Sequence, residues 1–193
     1  FFAQVIGYIY KPRAIEGGGE IKDEDSHKLL EQNTSLGVLL LNSWRIIPGT
    51  DVNGGIDYEK LKSWVVTARN LCKESNIKKM GDLHIGQILA LATMEEGEVW
   101  PPEAVCKIID ETRSIELDNG FIEGIRNKGG YYKKGMLDGG EQERNLAEKY
   151  RGYAVEWAIS YPRVAGLLMK IADRCENIAK EEDISAEKMR LEY

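Results

Sequence analysis

Apolar residues recur along most of this chain at the helical period of about 3.6 residues. Leu61, Trp64, Val65, Ala68, Leu71 and Cys72 fall on one stripe and predict a helix from Asp57 onward. Met80, Leu83, Ile88, Leu89 and Ala92 predict a shorter, less regular one. Pro101-Pro102 suits a first helical turn, where proline's missing N–H would have no partner anyway. The stripe Val105, Ile108, Ile109, Thr112 follows it and points to a helix reaching about Asn127, weakened by Gly120 and Gly124. Leu146, Tyr150, Tyr153, Ala154 and Trp157 share a face of the next helix. Pro162 then opens the last one, along Val164, Leu167, Leu168, Ile171, Cys175 and Ile178. Upstream, DEDSH supplies capping residues ahead of Leu29, Leu30, Leu36, Leu40 and Trp44; GVLLLNSW has strand-like composition but helical flanks. The pattern predicts an all-α chain of six or seven helices, an irregular bundle or a short stack of helical hairpins, in a single domain over residues 1–193. Trp64, Leu71, Ile108, Tyr153, Trp157, Leu168 and Ile171 are the expected core.

Two glycine-rich stretches, residues 16–25 (EGGGEIKDED) and 127–140 (NKGGYYKKGMLDGG), interrupt this periodicity and are expected to be flexible surface loops. A third irregular stretch, GTDVNGGIDYEK at 49–60, has the rhythm of a calcium-binding EF-hand loop. With Gly54 at the turn, however, the first ligand position is Gly49 and the last is Lys60, a cation where a bidentate carboxylate is required. The stretch reads instead as a turn that starts a helix, with Asp57 as its N-cap.

A net charge of −6 and 42% hydrophobic residues describe an ordinary globular chain and argue against nucleic-acid binding by overall charge. No run approaches the roughly 18 apolar residues that span a bilayer. The three cysteines, Cys72, Cys106 and Cys175, are far apart on apolar faces and read as reduced core thiols, which suits the cytoplasm. The chain begins with Phe1 and not methionine, and is expected to be a fragment of a longer protein.

Candidate chemistry is sparse. Arg126, Lys128, Tyr131, Tyr132, Lys133 and Lys134 cluster between glycines, where cations and amides could converge on a phosphate and tyrosines could stack on a base. No Gly-Lys-Ser/Thr pattern follows, and Gly17-Gly18-Gly19 lacks the preceding strand of a dinucleotide site. The two histidines, His27 and His84, have no partners at metal-ligand spacing, and His84 reads as a packing residue with satisfied hydrogen bonds. Acidic pairs such as Glu95-Glu96 and Asp110-Glu111 read as wet helix faces. Trp44, Trp64, Trp100 and Trp157 read as core or interface anchors. No catalytic residue, metal or cofactor is indicated.

The segments LLNSWRIIPGT, IGQILA, VWPPEAV and GGEQERNLAEKYRGYA occur in this order within residues 36–183. They resemble the C-terminal helical region of large bacterial proteins to which no activity is assigned. The resemblance implies a bacterial, cytoplasmic helical module that is part of a longer chain. The leading functional expectation is a protein-interaction or scaffold module, whose partner is another protein or the rest of its own chain. The competing one is a nucleotide or nucleic-acid site on Arg126, Lys128, Lys133 and Lys134, with Arg144. A hydrolase built from scattered carboxylates and His84 is the third.

Overall fold

A computed structural model describes residues 1–10, 24–94, 97–128 and 139–192. The described residues form eight helices: α1 (Phe2–Tyr10), α2 (Glu24–Asn42), α3 (Tyr58–Glu74), α4 (Lys78–Leu89), α5 (Glu103–Thr112), α6 (Ile115–Lys128), α7 (Glu141–Trp157) and α8 (Pro162–Glu192). Thr50 and Ile56 form one isolated antiparallel bridge, and no strand occurs among the described residues. The all-α expectation holds, with two more helices than the six stripes read from the sequence. One is α1, whose nine mostly apolar residues are too short a run to show a period. The other comes from a break between α5 and α6. Arg113 ends α5 in the left-handed region (φ 47°), and Ser114 starts α6 by accepting the Leu117 N–H at 3.4 Å. The break does not fall at Gly120 or Gly124. GVLLLNSW lies in α2 and the turn after it; of the DEDSH residues, Glu24, Asp25, Ser26 and His27 lie within α2, and Asp23, ahead of it, lies outside the described residues. Residues 16–23 and 129–138 of the two expected loops lie outside the described residues, whereas Glu24, Asp25, Asn127 and Lys128 are helical.

By their contacts the described residues separate into two compact units, residues 1–92 with 114–124, and residues 93–113 with 125–193. In the first, Phe2, Ala3, Val5 and Ile6 bury the inner face of α1. Phe2 meets the rings of Trp44 and Trp64 at 6.0 and 5.3 Å, so α1 is clamped between the end of α2 and the stripe of α3. α4 and α6 meet backbone to backbone. A Cβ on Gly86 would strike the Leu117 carbonyl and the Phe121 amide, one on Gly120 would strike the Leu83 carbonyl, and one on Gly124 would sit 2.6 Å from Ala90 Cβ. These glycines, read as helix-weakening, instead let two helices approach more closely than any side chain would permit.

The second unit is built on the α7–α8 hairpin. Gly140 at the N-cap of α7 and Ala147 and Ala154 within it recur every seven residues, as do Ala165, Ala172, Ala179 and Ala186 in α8, and all are buried. Small residues at heptad spacing bring the antiparallel pair close along its length. Arg144 pairs with Asp183 and Arg151 with Glu176, a shift of seven on each helix that fixes the register. Asp183 also accepts the Gly140 N–H at 2.8 Å, so a carboxylate of α8 caps the start of α7. That accounts for the Gly-Gly-Glu-x-Glu-Arg sequence there: Gly139 turns with φ +60°, Gly140 lies against the Ala179 backbone, and Arg144 reaches the same Asp183.

Of the expected core, Ile108, Leu168 and Ile171 are buried, while Trp64, Tyr153 and Trp157 are only half-buried. Leu71 is a correction. It is 43% exposed, because α3 turns Ala68 and Cys72 inward and leaves Leu71 at the edge of the stripe. Leu36 is likewise exposed, since α2 approaches α1 through Gly37.

The turn before α3 starts that helix as expected. Asp51 Oδ1 accepts the amides of Asn53 (2.8 Å) and Gly55 (3.0 Å), and Asp57 caps α3 through the Lys60 amide at 3.0 Å. That amide and the Lys60 charge hold the Asp57 carboxyl below its ordinary range. With these oxygens committed to backbone amides, millimolar calcium should leave the thermal midpoint unmoved. A rise of several degrees that magnesium does not reproduce would contradict this.

Candidate functional site

Residues read from the sequence as a phosphate or nucleic-acid patch are placed only in part. Arg126 and Lys128 lie in the last turn of α6 and are exposed overall; partial burial of the Lys128 side chain and the neighbouring Lys149 charge lower its ammonium. Tyr131, Tyr132, Lys133 and Lys134 lie outside the described residues. Arg144 is paired with Asp183 across the α7–α8 hairpin. None of the three cysteines is in a disulfide; Cys72 and Cys106 are buried as expected, whereas Cys175 is only half-buried, and burial raises all three thiols, that of Cys106 to about 12. Among the described residues no group of three or more His, Cys, Asp or Glu side chains is arranged to hold a metal, and no helix is long and apolar enough to cross a membrane.

Three arrangements in the first unit were not legible as sites. The first is a groove of about 350 Å³ between α1 and α3. Its lining includes Ala3, Gly7, Tyr8, Leu71, Glu74 and Ser75. Ala3 and Gly7, four apart on one face of α1, are small. Tyr8, 57% exposed, and Leu71 present large apolar surfaces, and Glu74 supplies the one carboxylate of the lining. The Thr34 hydroxyl of α2 donates to the Tyr8 carbonyl at 3.3 Å and ties this end of α1 down.

The second is a hydrogen-bonded chain across three helices. The Tyr10 hydroxyl lies 2.9 Å from His84 Nε2, His84 Nδ1 lies 2.7 Å from Gln87 Oε1, and Gln87 Nε2 donates to Glu123 at 3.2 Å. A carboxylate only accepts, so Glu123 draws the amide NH₂ of Gln87 toward itself and leaves Oε1 facing the imidazole. Nδ1 therefore carries the proton, and the Nε2 lone pair accepts the Tyr10 O–H. Burial lowers the imidazole below its ordinary value, although the Gln87 hydrogen bond and the Glu123 charge oppose it. Burial, then the Glu123 charge, raises the Tyr10 hydroxyl. These bonds tie α1, α4 and α6 together through their side chains.

The third is Asp82, fully buried on α4. It accepts Arg69 Nε at 2.7 Å and Nη2 at 3.1 Å, Lys78 Nζ at 2.8 Å and the Ser114 hydroxyl at 2.8 Å. Burial pushes its carboxyl up, but the hydrogen bonds from Arg69, Lys78 and Ser114 and the Arg69 charge outweigh this and hold it below the ordinary value. Every oxygen is occupied, so Asp82 joins α3, α4 and α6 and is not free for acid–base work.

In the second unit Tyr161 donates to Glu103 at 2.8 Å, and Lys107 pairs with the same carboxylate at 3.1 Å. Burial, then the hydrogen bond and charge of Glu103, raise the Tyr161 hydroxyl to about 12. Of these arrangements, the α1–α3 groove is the one that offers open space and unsatisfied apolar surface to another molecule. No family model, curated protein or solved structure matches this chain.

Proposed function

We propose that this chain is a helical protein-interaction module and that the α1–α3 groove is where its partner docks. The observation that carries the reading is the groove's construction. α1 presents a small-residue floor, Ala3 and Gly7, between the large apolar surfaces of its own Tyr8 and of Leu71 on α3. A groove between two helices is filled most readily by a third, whose large side chains at i and i+4 enter the hollows over the small residues. The occupant is therefore an amphipathic helix with bulky apolar residues on one face. Glu74 in the lining and the net charge of −6 favour basic residues flanking that face. Membership of a larger bacterial chain, proposed on the four segments quoted above, is compatible with a partner helix from that chain or from another protein.

The reading is tested with a labelled 18-residue amphipathic helix of leucine and lysine, its acidic counterpart, and a scrambled control of equal composition. Anisotropy titrations should show saturable binding of the basic amphipathic peptide alone, weakened at least about tenfold by Leu71→Glu, since a charge there must be desolvated on docking. Equal binding of the scrambled peptide, or full binding by a folded Leu71→Glu variant, would refute it.

A further inference from the structure

We propose that the Tyr10–His84 hydrogen bond is an acid-sensitive latch that holds the C-terminal end of α1 against α4, and with it one wall of the groove. The consequence for docking rests on the groove reading; the latch itself does not. The geometry gives the imidazole one arrangement in which both nitrogens are served. Nδ1 donates to Gln87, whose amide is oriented by Glu123 on α6, and Nε2 accepts from Tyr10 on α1. The Tyr10 and His84 rings also lie 5.5 Å apart, so the tyrosine covers the imidazole as well as bonding it.

Protonating Nε2 removes the lone pair that accepts the Tyr10 O–H, so the hydroxyl must turn and accept instead, and the contact then holds a charged imidazole beneath the tyrosine ring that covers it. Among the described residues, the ionisable groups facing the imidazole are Tyr10 from α1 and Glu123 from α6. Asp82, two residues earlier on α4, is committed to Arg69, Lys78 and Ser114. Glu123 favours the imidazolium, yet burial dominates and the imidazole stays below its ordinary value in the docked state. Departure of α1 uncovers the ring and returns part of that burial, so the undocked state binds the proton more tightly. The docking contribution is thus complete above the ordinary histidine value of 6.5 and is lost as pH falls through the lower, docked value.

Because α1 also carries Ala3, Gly7 and Tyr8, loosening it removes the floor and one side of the groove. Acid would therefore release a docked helix without any charge being placed in the groove itself.

The experiment is amide hydrogen exchange of residues 5–10, corrected for the intrinsic pH dependence of exchange, with the protein alone at about pH 7.5 and about pH 5. Imidazole NMR titration runs alongside, and the His84→Gln variant separates the signal of His84 from that of His27. The expected result is a loss of α1 protection of about fivefold or more at the lower pH, following the His84 titration below 6.5. In His84→Gln the corrected protection should be the same at both pH values, and in Tyr10→Phe it should be reduced at neutral pH with a smaller pH dependence. Unchanged wild-type protection across the range, or an undiminished pH response in His84→Gln, would overturn the latch. Because no peptide is present, failure of the groove reading leaves this outcome unaffected, and a peptide that binds equally at both pH values would separate docking from the latch.

Discussion

Gly120→Ala should destabilise the first unit by at least about 2 kcal/mol, although alanine in a helix interior ordinarily gains up to about 1 kcal/mol over glycine. The sign reverses because the new methyl has nowhere to go. It would lie on the Leu83 carbonyl and within 3.0 Å of the Leu83 Cα, and backbone cannot rotate aside as a side chain can. α4 and α6 must separate, which also loosens Leu117 and Phe121, both fully buried beside Gly86. Gly166→Ala in α8 is the control, since a Cβ there meets nothing within 4 Å. It should stabilise by about 0.5–1 kcal/mol through the lower entropy of the unfolded chain. Urea unfolding of both variants checks the pair. Similar midpoint shifts in the same direction would show that the α4–α6 approach is not as close as described.

Asp82→Ala should cost about 3 kcal/mol, near the lower end of what breaking a buried ion pair costs. The reasons lie in the partners left behind. The Arg69 side chain is 24% exposed and loses both its hydrogen bonds, and the Ser114 hydroxyl loses its acceptor at 2.8 Å; Lys78, 44% exposed, turns out to water at little cost. Replacing both members, Asp82→Leu with Arg69→Met, should recover most of the loss, because apolar packing can substitute for a buried pair when no charge is stranded. The same carboxylate makes stability depend on acid. Its folded value lies below the ordinary 3.8, so its contribution is complete above 3.8 and is lost as pH falls through the depressed value. If Asp82→Ala unfolds at the wild-type urea concentration, the three helices are held by their apolar contacts alone.

These two positions also show where the sequence was legible and where it was not. α3, α5 and α8 bury aliphatic residues at i, i+3 and i+4, and the helical period alone locates them. α4 buries Gly81, Asp82 and Gly86 beside its three large aliphatics, so a count of apolar residues sees only an irregular stripe. The contact between α7 and α8 is likewise made by alanines at heptad spacing; the stripe Leu146, Tyr150, Tyr153, Ala154 and Trp157 finds that side of α7 and includes Ala154, but its large residues are only half-buried and it passes over Ala147. The repeat of Ala165, Ala172, Ala179 and Ala186 was present in the sequence as a signal. The groove and the Tyr10–His84–Gln87–Glu123 chain were not, because each joins residues far apart in the chain through α1, whose nine residues are too short to declare a period.

The central claim is that the α1–α3 groove receives a basic amphipathic helix, and nitrogen–proton correlation NMR of the whole chain during a peptide titration tests it most directly. The account predicts saturable shifts at the amides of Ala3, Gly7, Tyr8, Leu71, Glu74 and Ser75, absent in Leu71→Glu. Shifts that instead centre on Arg126 and Lys128, or that never saturate, would contradict it.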